Sequence, residues 1–383
     1  MKRVAYQGAS PMRIVELVNN LEIGGAERLV VDLASALKLR GHEVRVACLR
    51  TGGPLEVVLK EAGIDVCVLD KRPGPSVGVL WQLAAYLRRS QADVLHTHNP
   101  LVHHYGVVAG CLARVPVIVN TIHGPGNVSA TRGFKELLYG AVCQFSDQIV
   151  AVCPSARQAF IESKAIPRRK LIVVNNGIRL DAFLEVQRRV PDDSLVFGIV
   201  GRLVPVKDHR SLLKAFSALL RLRPACRLEI LGDGPLRADL ERQASELGIS
   251  AHVVFRGYST DVPAFMRGID VSVLCSLSEG LALTVLESMA AGLPIVGTDV
   301  GEMKALVEGA RCGWLCSPGQ PADLTNAMLR AADATAKERH AMGVRAREFA
   351  AMNYSMARMV EDYEGLFDRL QRGRHQISRA NQG

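Results

Sequence analysis

A chain of 383 residues is too long for one ordinary hydrophobic core, so two domains are expected. Hydrophobic residues make up 48% and charged residues 22%, which excludes a disordered or fibrous chain. The net charge is +9, but only 5% of residues are aromatic, leaving few platforms for stacking bases, so no nucleic-acid partner is expected.

The charge is unevenly placed. Residues 1–190 hold 24 Lys/Arg against 15 Asp/Glu, whereas residues 191–383 hold 23 against 23. A basic first half suits peripheral contact with an anionic membrane, and Lys164, Arg168, Arg169 and Lys170 form its densest piece; a solvated face is the alternative. Apolar stretches such as 195–200 and 271–274 fall far short of the roughly 20 residues that span a bilayer. Lys2 and Arg3 are not followed by a signal-type apolar run, so a cytoplasmic protein is expected, with possible attachment at the inner membrane face. Nine cysteines without a CxxC pair suit buried thiols in a reducing compartment.

Short β-branched runs alternate with helical patterns, which predicts an α/β chain with parallel sheets. In the first unit, 13–19 reads as a strand, 21–25 as a loop, and Leu29, Val30, Leu33 and Leu37 recur at helical spacing, with Gly41 as the stop. Further strands are predicted at 43–49, 66–69, 93–96, 117–120, 148–151 and 171–174. A polar stretch at 181–193 follows. The pattern then restarts with strands at 195–201, 227–231, 253–255, 271–274 and 294–297. From Pro321 the tail is helical in pattern, and residues 376–383 are expected to fray.

In open parallel sheets, ligands lie beyond the carboxyl ends of the strands. After the first strand, Gly24 and Gly25 could let bare amides approach a phosphate, or make only a tight turn. Neither this segment nor Gly232-Asp233-Gly234 completes a GxGxxG fingerprint, which disfavours a dinucleotide enzyme. His96 and His98 share one face of an extended segment, with His103 and His104 in the next helix. No carboxylate or thiolate partner is evident nearby in sequence, so lining of a substrate cleft or plain packing is preferred to a metal site. His123 follows the next strand, where a neutral imidazole can bond sugar hydroxyls or serve as a turn residue.

In the second half, Arg202 ends a strand and Lys207 precedes a helix, an arrangement suited to a diphosphate. Residues 279–287, EGLALTVLE, open a helix at Leu283 or Thr284 whose free amides would face an anion. Thr284 and Glu287 also have the spacing of a capping box. Glu279, outside the helix, is suited to accept hydrogen bonds from hydroxyls.

GGAE at 24–27, TIHG at 121–124, NNGI at 175–178, GRL with Lys207, and the two glutamates eight apart together resemble the retaining family-4 glycosyltransferases of the GT-B fold, glycosyl transferases group 1. The resemblance runs nearly end to end. It implies two Rossmann-like βαβ domains facing each other across a cleft: 12–185 on the acceptor side, 186–353 binding the nucleotide sugar, and 354–375 as a helix crossing back. It further implies that Arg202 and Lys207 neutralise the donor diphosphate, Glu279 contacts the sugar, Glu287 the ribose, and Leu283 and Thr284 the phosphate through their amides. Gly24 and Gly25 would approach the phosphates, Tyr258 would frame the base, and His123 would contact the sugar near the reaction centre, with His96 and His98 on the acceptor side.

The implied activity is a retaining, metal-independent, hexosyltransferase-type transfer without an obligatory cofactor. The sugar would pass from a nucleotide sugar, UDP-linked ahead of GDP-linked, to a lipid-linked or polysaccharide acceptor in cell-envelope glycan synthesis. A sugar-nucleotide epimerase of the same fold, or a silent sugar-nucleotide binder, is the alternative. The family often has glycine where this chain has Ala282.

Overall fold

The computed structural model describes residues 10–123, 134–184 and 194–380. These divide into two compact units, one running to Gly177 and resuming at Met356, the other spanning Ile178–Ser355.

The first unit is built on seven strands: β1 (Arg13–Val18), β2 (Glu43–Cys48), β3 (Asp65–Val68), β4 (Val94–His98), β5 (Val117–Ile122), β6 (Gln148–Ala151) and β7 (Leu171–Val173). They lie in the order β3-β2-β1-β4-β5-β6-β7, and every pairing is parallel. The second unit has β8 (Val196–Val200), β9 (Arg227–Leu231), β10 (Val253–Gly257), β11 (Val271–Leu274), β12 (Ile295–Thr298) and β13 (Gly313–Cys316), in the order β10-β9-β8-β11-β12-β13, again parallel. Both sheets therefore reverse direction beside their first strand, at β1/β4 and at β8/β11. That is where a doubly wound sheet opens a crevice for ligands.

Helices on both faces bury the strands, which explains near-continuous apolar runs in place of alternation. The helix Gly25–Leu39 buries Leu29, Val30, Leu33 and Leu37, and Gly41, at φ 101°, follows its end in the left-handed conformation that glycine adopts freely.

The sequence reading differs from the structure at several places. β4 continues to His98 and β5 to Ile122, because the parallel register pairs His98 with Thr121 and carries both strands beyond their apolar runs. β13 was not foreseen: it starts at Gly313, a residue that reads as a strand breaker. A Cβ there would lie 1.9 Å from the Ile295 carbonyl oxygen, so only glycine permits the pairing. The last helix, Met356–Ala380, continues past the expected fraying point at Gln376. Most of the polar stretch at 185–193, Gly124 of TIHG, and residues 1–9 and 381–383 lie outside the described residues.

That last helix belongs to the first unit. Met359, Val360, Tyr363, Leu366 and Phe367 are buried in one core with residues of the helix Gly25–Leu39. A buried polar clamp fixes its register. The Met12 amide donates to His42 Nδ1 (3.1 Å), so the ring proton sits on Nε2 and is donated to Glu364 (3.0 Å), which also accepts from Arg40 (2.8 Å). Burial works to raise the Glu364 pKa, but the hydrogen bonds from His42 and Arg40 outweigh it and hold the carboxyl below its ordinary value.

Glu364→Gln should therefore cost about 1–3 kcal/mol at neutral pH, read as a lower thermal midpoint. Because the folded-state pKa is depressed, this contribution is complete above the unfolded pKa of about 4.3 and fades as pH falls through the folded value. Melts of parent and variant should converge in acid.

Candidate active site

In the second unit the chemistry-bearing residues follow β8 and β11, the two strands flanking its switch point. The Lys207 ammonium lies 2.5 Å from Glu279 Oε1, which also accepts from the Ser276 hydroxyl at 2.7 Å. Both members of this pair are largely buried, with side-chain exposures of 21% and 15%. The loops carrying them are braced: the Leu277 amide donates to the Val206 carbonyl (2.8 Å), and the Cys275 thiol reaches the Lys207 carbonyl (3.0 Å). Arg202 is exposed and has no ion-pair partner among the described residues.

The helix Leu283–Ala290 begins with Ala282 as its uncapped preceding residue. The amides of Val285 and Leu286 bond back to the Ala282 carbonyl, whereas those of Leu283 and Thr284, first in the helix, make no such backbone bond. The expected capping box does not form, because Thr284 is already inside the helix, two residues past the cap position at Ala282. Glu287 is half-buried on the same helix. Ala282 takes φ −73°, so alanine sits there without backbone strain. Tyr258 is 54% exposed just after the edge strand β10, two strands from β8.

Close backbone packing holds these loops. Gly301 has φ 55°, and a Cβ on it would fall 2.2 Å from the Gly280 and 2.5 Å from the Glu279 carbonyl oxygens; the adjacent Glu302 amide donates to Gly280 at 3.0 Å. Gly232, part of the incomplete fingerprint, instead packs on Gly201, whose oxygen would lie 1.9 Å from its Cβ.

In the first unit, the flanking strands β1, β4 and β5 bring together Glu16, His96, His98 and His123. Glu16 pairs directly with His96 across the parallel ladder, and the two-residue period of a strand puts His98 on the same face. Glu16 Oε2 lies 2.7 Å from His98 Nε2 and 2.9 Å from His96 Nδ1. His98 Nδ1 is 2.8 Å from His123 Nε2, and the two rings stack. His96 Nε2 meets the Thr121 hydroxyl (2.7 Å), which meets the Tyr363 hydroxyl (2.8 Å).

Burial would raise the Glu16 pKa, but the His96 charge and hydrogen bonds from His96 and His98 hold it well below the carboxylate range. Burial, then the nearby His96 charge, pushes His98 down to about 4 against the pull of Glu16. His123 is also driven well down, by burial and then by its two histidine neighbours.

These contacts correct the acceptor-side reading of His96 and His98: both are buried and turned onto Glu16. His103 bridges the hydroxyls of Thr97 and Ser146 and is a packing residue. Glu16, His96 and His98 also form the single three-residue grouping of metal-ligating type among the described residues, but their mutual contacts have the lengths of hydrogen bonds. In the basic cluster, Lys170 turns inward onto the carbonyls of Cys143, Gln144 and Ser146, so it is not a free surface charge.

Gly24 precedes the helix that starts at Gly25 and offers no side-chain cap, while the Glu27 carboxylate lies over it. Sequence reasoning missed Glu16, whose signal was a lone acid inside the apolar run RIVELV. It also missed Asn99, held at φ 69°, ψ 160°, a conformation nearly reserved for glycine, where its Oδ1 accepts from the His123 amide at 3.1 Å.

Residues 23–182 match the family described as Glycosyltransferase Family 4, and residues 182–349 match Glycosyl transferases group 1. The chain belongs to glycosyltransferase family 4 and has the GT-B fold. It is 27% identical to the Escherichia coli UDP-Gal:alpha-D-GlcNAc-diphosphoundecaprenol alpha-1,3-galactosyltransferase, over 66% of this chain and 70% of the relative. It is 26% identical to a D-inositol 3-phosphate glycosyltransferase of Thermomonospora curvata, over 91% and 92% of the two chains. Identity to the N-acetyl-alpha-D-glucosaminyl L-malate synthase of Bacillus anthracis is 23%, over 90% and 94%. Among solved structures, HepE of Anabaena in complex with UDP superposes with a TM-score of 0.81 at 20% identity, covering 93% of this chain and 99% of that one. The chain is therefore a glycosyltransferase acting on a nucleotide sugar.

Gly301→Ala should displace the Glu279–Gly280 backbone. The expected result is a loss of donor affinity by calorimetry together with a lower thermal midpoint, because strain and steric overlap act on the same loop.

Proposed function

We propose that the enzyme transfers a sugar from a UDP-sugar, with retention of anomeric configuration and without an obligatory metal or cofactor, to an anionic lipid-linked acceptor in cell-envelope glycan synthesis. The observation that carries this reading is the cluster at the β8/β11 switch point: exposed Arg202, Lys207 paired to Glu279, and the uncapped amides of Leu283 and Thr284.

A nucleoside diphosphate is a good leaving group, so what the reaction needs is positive charge where negative charge develops. Arg202, Lys207 and the two amides supply it, each critical donor contributing about 3–4 kcal/mol. Glu279 keeps Lys207 in place and leaves one carboxylate oxygen to accept from a sugar hydroxyl, while Glu287 is assigned the ribose and Tyr258 the base. In the first unit His123 contacts the transferred sugar, and the amides at Gly24 and Gly25 approach the phosphates. The departing phosphate takes the acceptor's proton on the same face, which gives retention.

The donor assignment draws on a relative whose name specifies UDP-Gal and on a neighbour solved with UDP. The acceptors named for the three relatives, a saccharide on diphosphoundecaprenol, malate and inositol 3-phosphate, are all anionic, which agrees with the basic first half of this chain. No helix among the described residues is long and apolar enough to cross a membrane. The basic first half supports our assignment of a cytoplasmic enzyme that meets its acceptor peripherally at the inner face.

Nucleotide release from a panel of UDP-, GDP- and ADP-sugars, with EDTA present, tests the reading. UDP release from one donor, abolished in Glu279→Ala, is expected, and NMR of the product should show the donor's anomeric configuration. Donor binding without release, or an altered sugar still on its nucleotide, sinks it in favour of a silent binder or an epimerase.

A further inference from the structure

Six polar groups of the first unit lie in one line of close contacts, in which the His96–Glu16 step is an ion-pair contact at 2.9 Å. The line runs from Tyr363 through Thr121, His96, Glu16 and His98 to His123. Its direction can be worked out from Glu16, because an ionised carboxylate only accepts. His98 Nε2, 2.7 Å from that carboxylate, must carry the proton. His98 is neutral near pH 7, so its Nδ1 is bare and accepts from the atom 2.8 Å away, His123 Nε2. His123 is neutral too, and with its proton on Nε2 its Nδ1 is bare. That Nδ1 is buried without a hydrogen-bond partner among the described residues. Native proteins rarely leave a buried acceptor unpaired, so water or a ligand hydroxyl is expected to complete it.

We propose that Glu16 and His98 are positioning residues that hold His123 in its Nε2–H tautomer, so that its Nδ1 is the acceptor for one hydroxyl of the transferred sugar. This rests on the reading of His123 as a sugar contact, but the tautomer itself is readable without substrate. The strained Asn99 backbone secures the other side of the arrangement, since its side chain anchors the His123 amide. The relay is a chain of orientation: no proton moves along it, and its effect is to make His123 an acceptor, which favours a free hydroxyl over an alkylated or missing one.

Two-bond proton–nitrogen spectra of protein labelled at histidine nitrogen, with His123 assigned by its disappearance in His123→Gln, read the tautomer directly. Between about pH 6 and 8 the ring is expected to be neutral with its proton on Nε2. In Glu16→Gln the amide can donate to His98 Nε2 and reverse that ring, so His123 should become a tautomer mixture. Its kcat should fall by about 10²-fold while the donor KM moves by less than about threefold. Should Glu16→Gln not fold, the parent spectrum still decides. A proton found on Nδ1, an unchanged tautomer in Glu16→Gln, or a stoichiometric metal removed by chelator from Glu16, His96 and His98 would overturn the proposal. An Nε2–H ring in a protein whose His123→Gln variant turns donor over at the parent rate removes the sugar contact alone, and so separates the two failures.

Discussion

A carboxylate taken out of water must be paired and hydrogen-bonded, at a desolvation cost of several kcal/mol, and Glu16 in the interior strand β1 of the first unit is fully buried. Much of that unit's switch point follows from meeting this requirement. The parallel register sets His96 beside Glu16, and the strand period brings His98 to the same face. Thr121 and Tyr363 then satisfy the far side of His96, so the last helix is tied to the same network as the strand ends. Replacing one partner would leave the others buried and unpaired, so such a network is more costly to break than any single contact in it suggests.

The second unit has the same strand order and a different polarity at the same place. Its largely buried ion pair, Lys207 with Glu279, is fixed by Ser276 and by the Leu277–Val206 backbone bond between two loops, while among the described residues Arg202 and the first amides of the helix Leu283–Ala290 stay open. The first unit thus turns Glu16 and its histidines on each other and leaves the His123 Nδ1 bare, whereas the second presents positive charge.

The fold was legible because buried parallel strands announce themselves as β-branched runs, and nearly every strand was found within two residues of its place. β13 escaped because Gly313 is needed for close approach to Ile295, a requirement set by a strand distant in sequence. That Arg202, Lys207 and Glu279 would follow the strands β8 and β11 was legible from order and spacing along the chain. The role of Glu16 was not, since one acid in RIVELV becomes meaningful only when β4 is laid beside β1. For the same reason His96 and His98 could be seen to share a face, but not that the face was occupied by a carboxylate. The Thr284 and Glu287 spacing misled in the opposite direction: the pattern of a cap was present, but the helix starts two residues too early to use it.

The basic first half also needs reading with its contacts. Arg13 is held by Asp93 and Arg40 by Glu364, so those charges are offset. Lys170 and Lys71 are different: each is held by backbone carbonyls, and Lys71 also lies 5.2 Å from the centre of the Tyr105 ring. Carbonyls and rings occupy the ammonium hydrogens without supplying a counter-charge. Such lysines still contribute to the field that draws in an anion within the ~8–10 Å Debye length, yet they have few donors left with which to grip it. Attraction and binding are therefore carried by different residues, and any anion drawn in by the first unit's charge must find its contacts among groups that remain free.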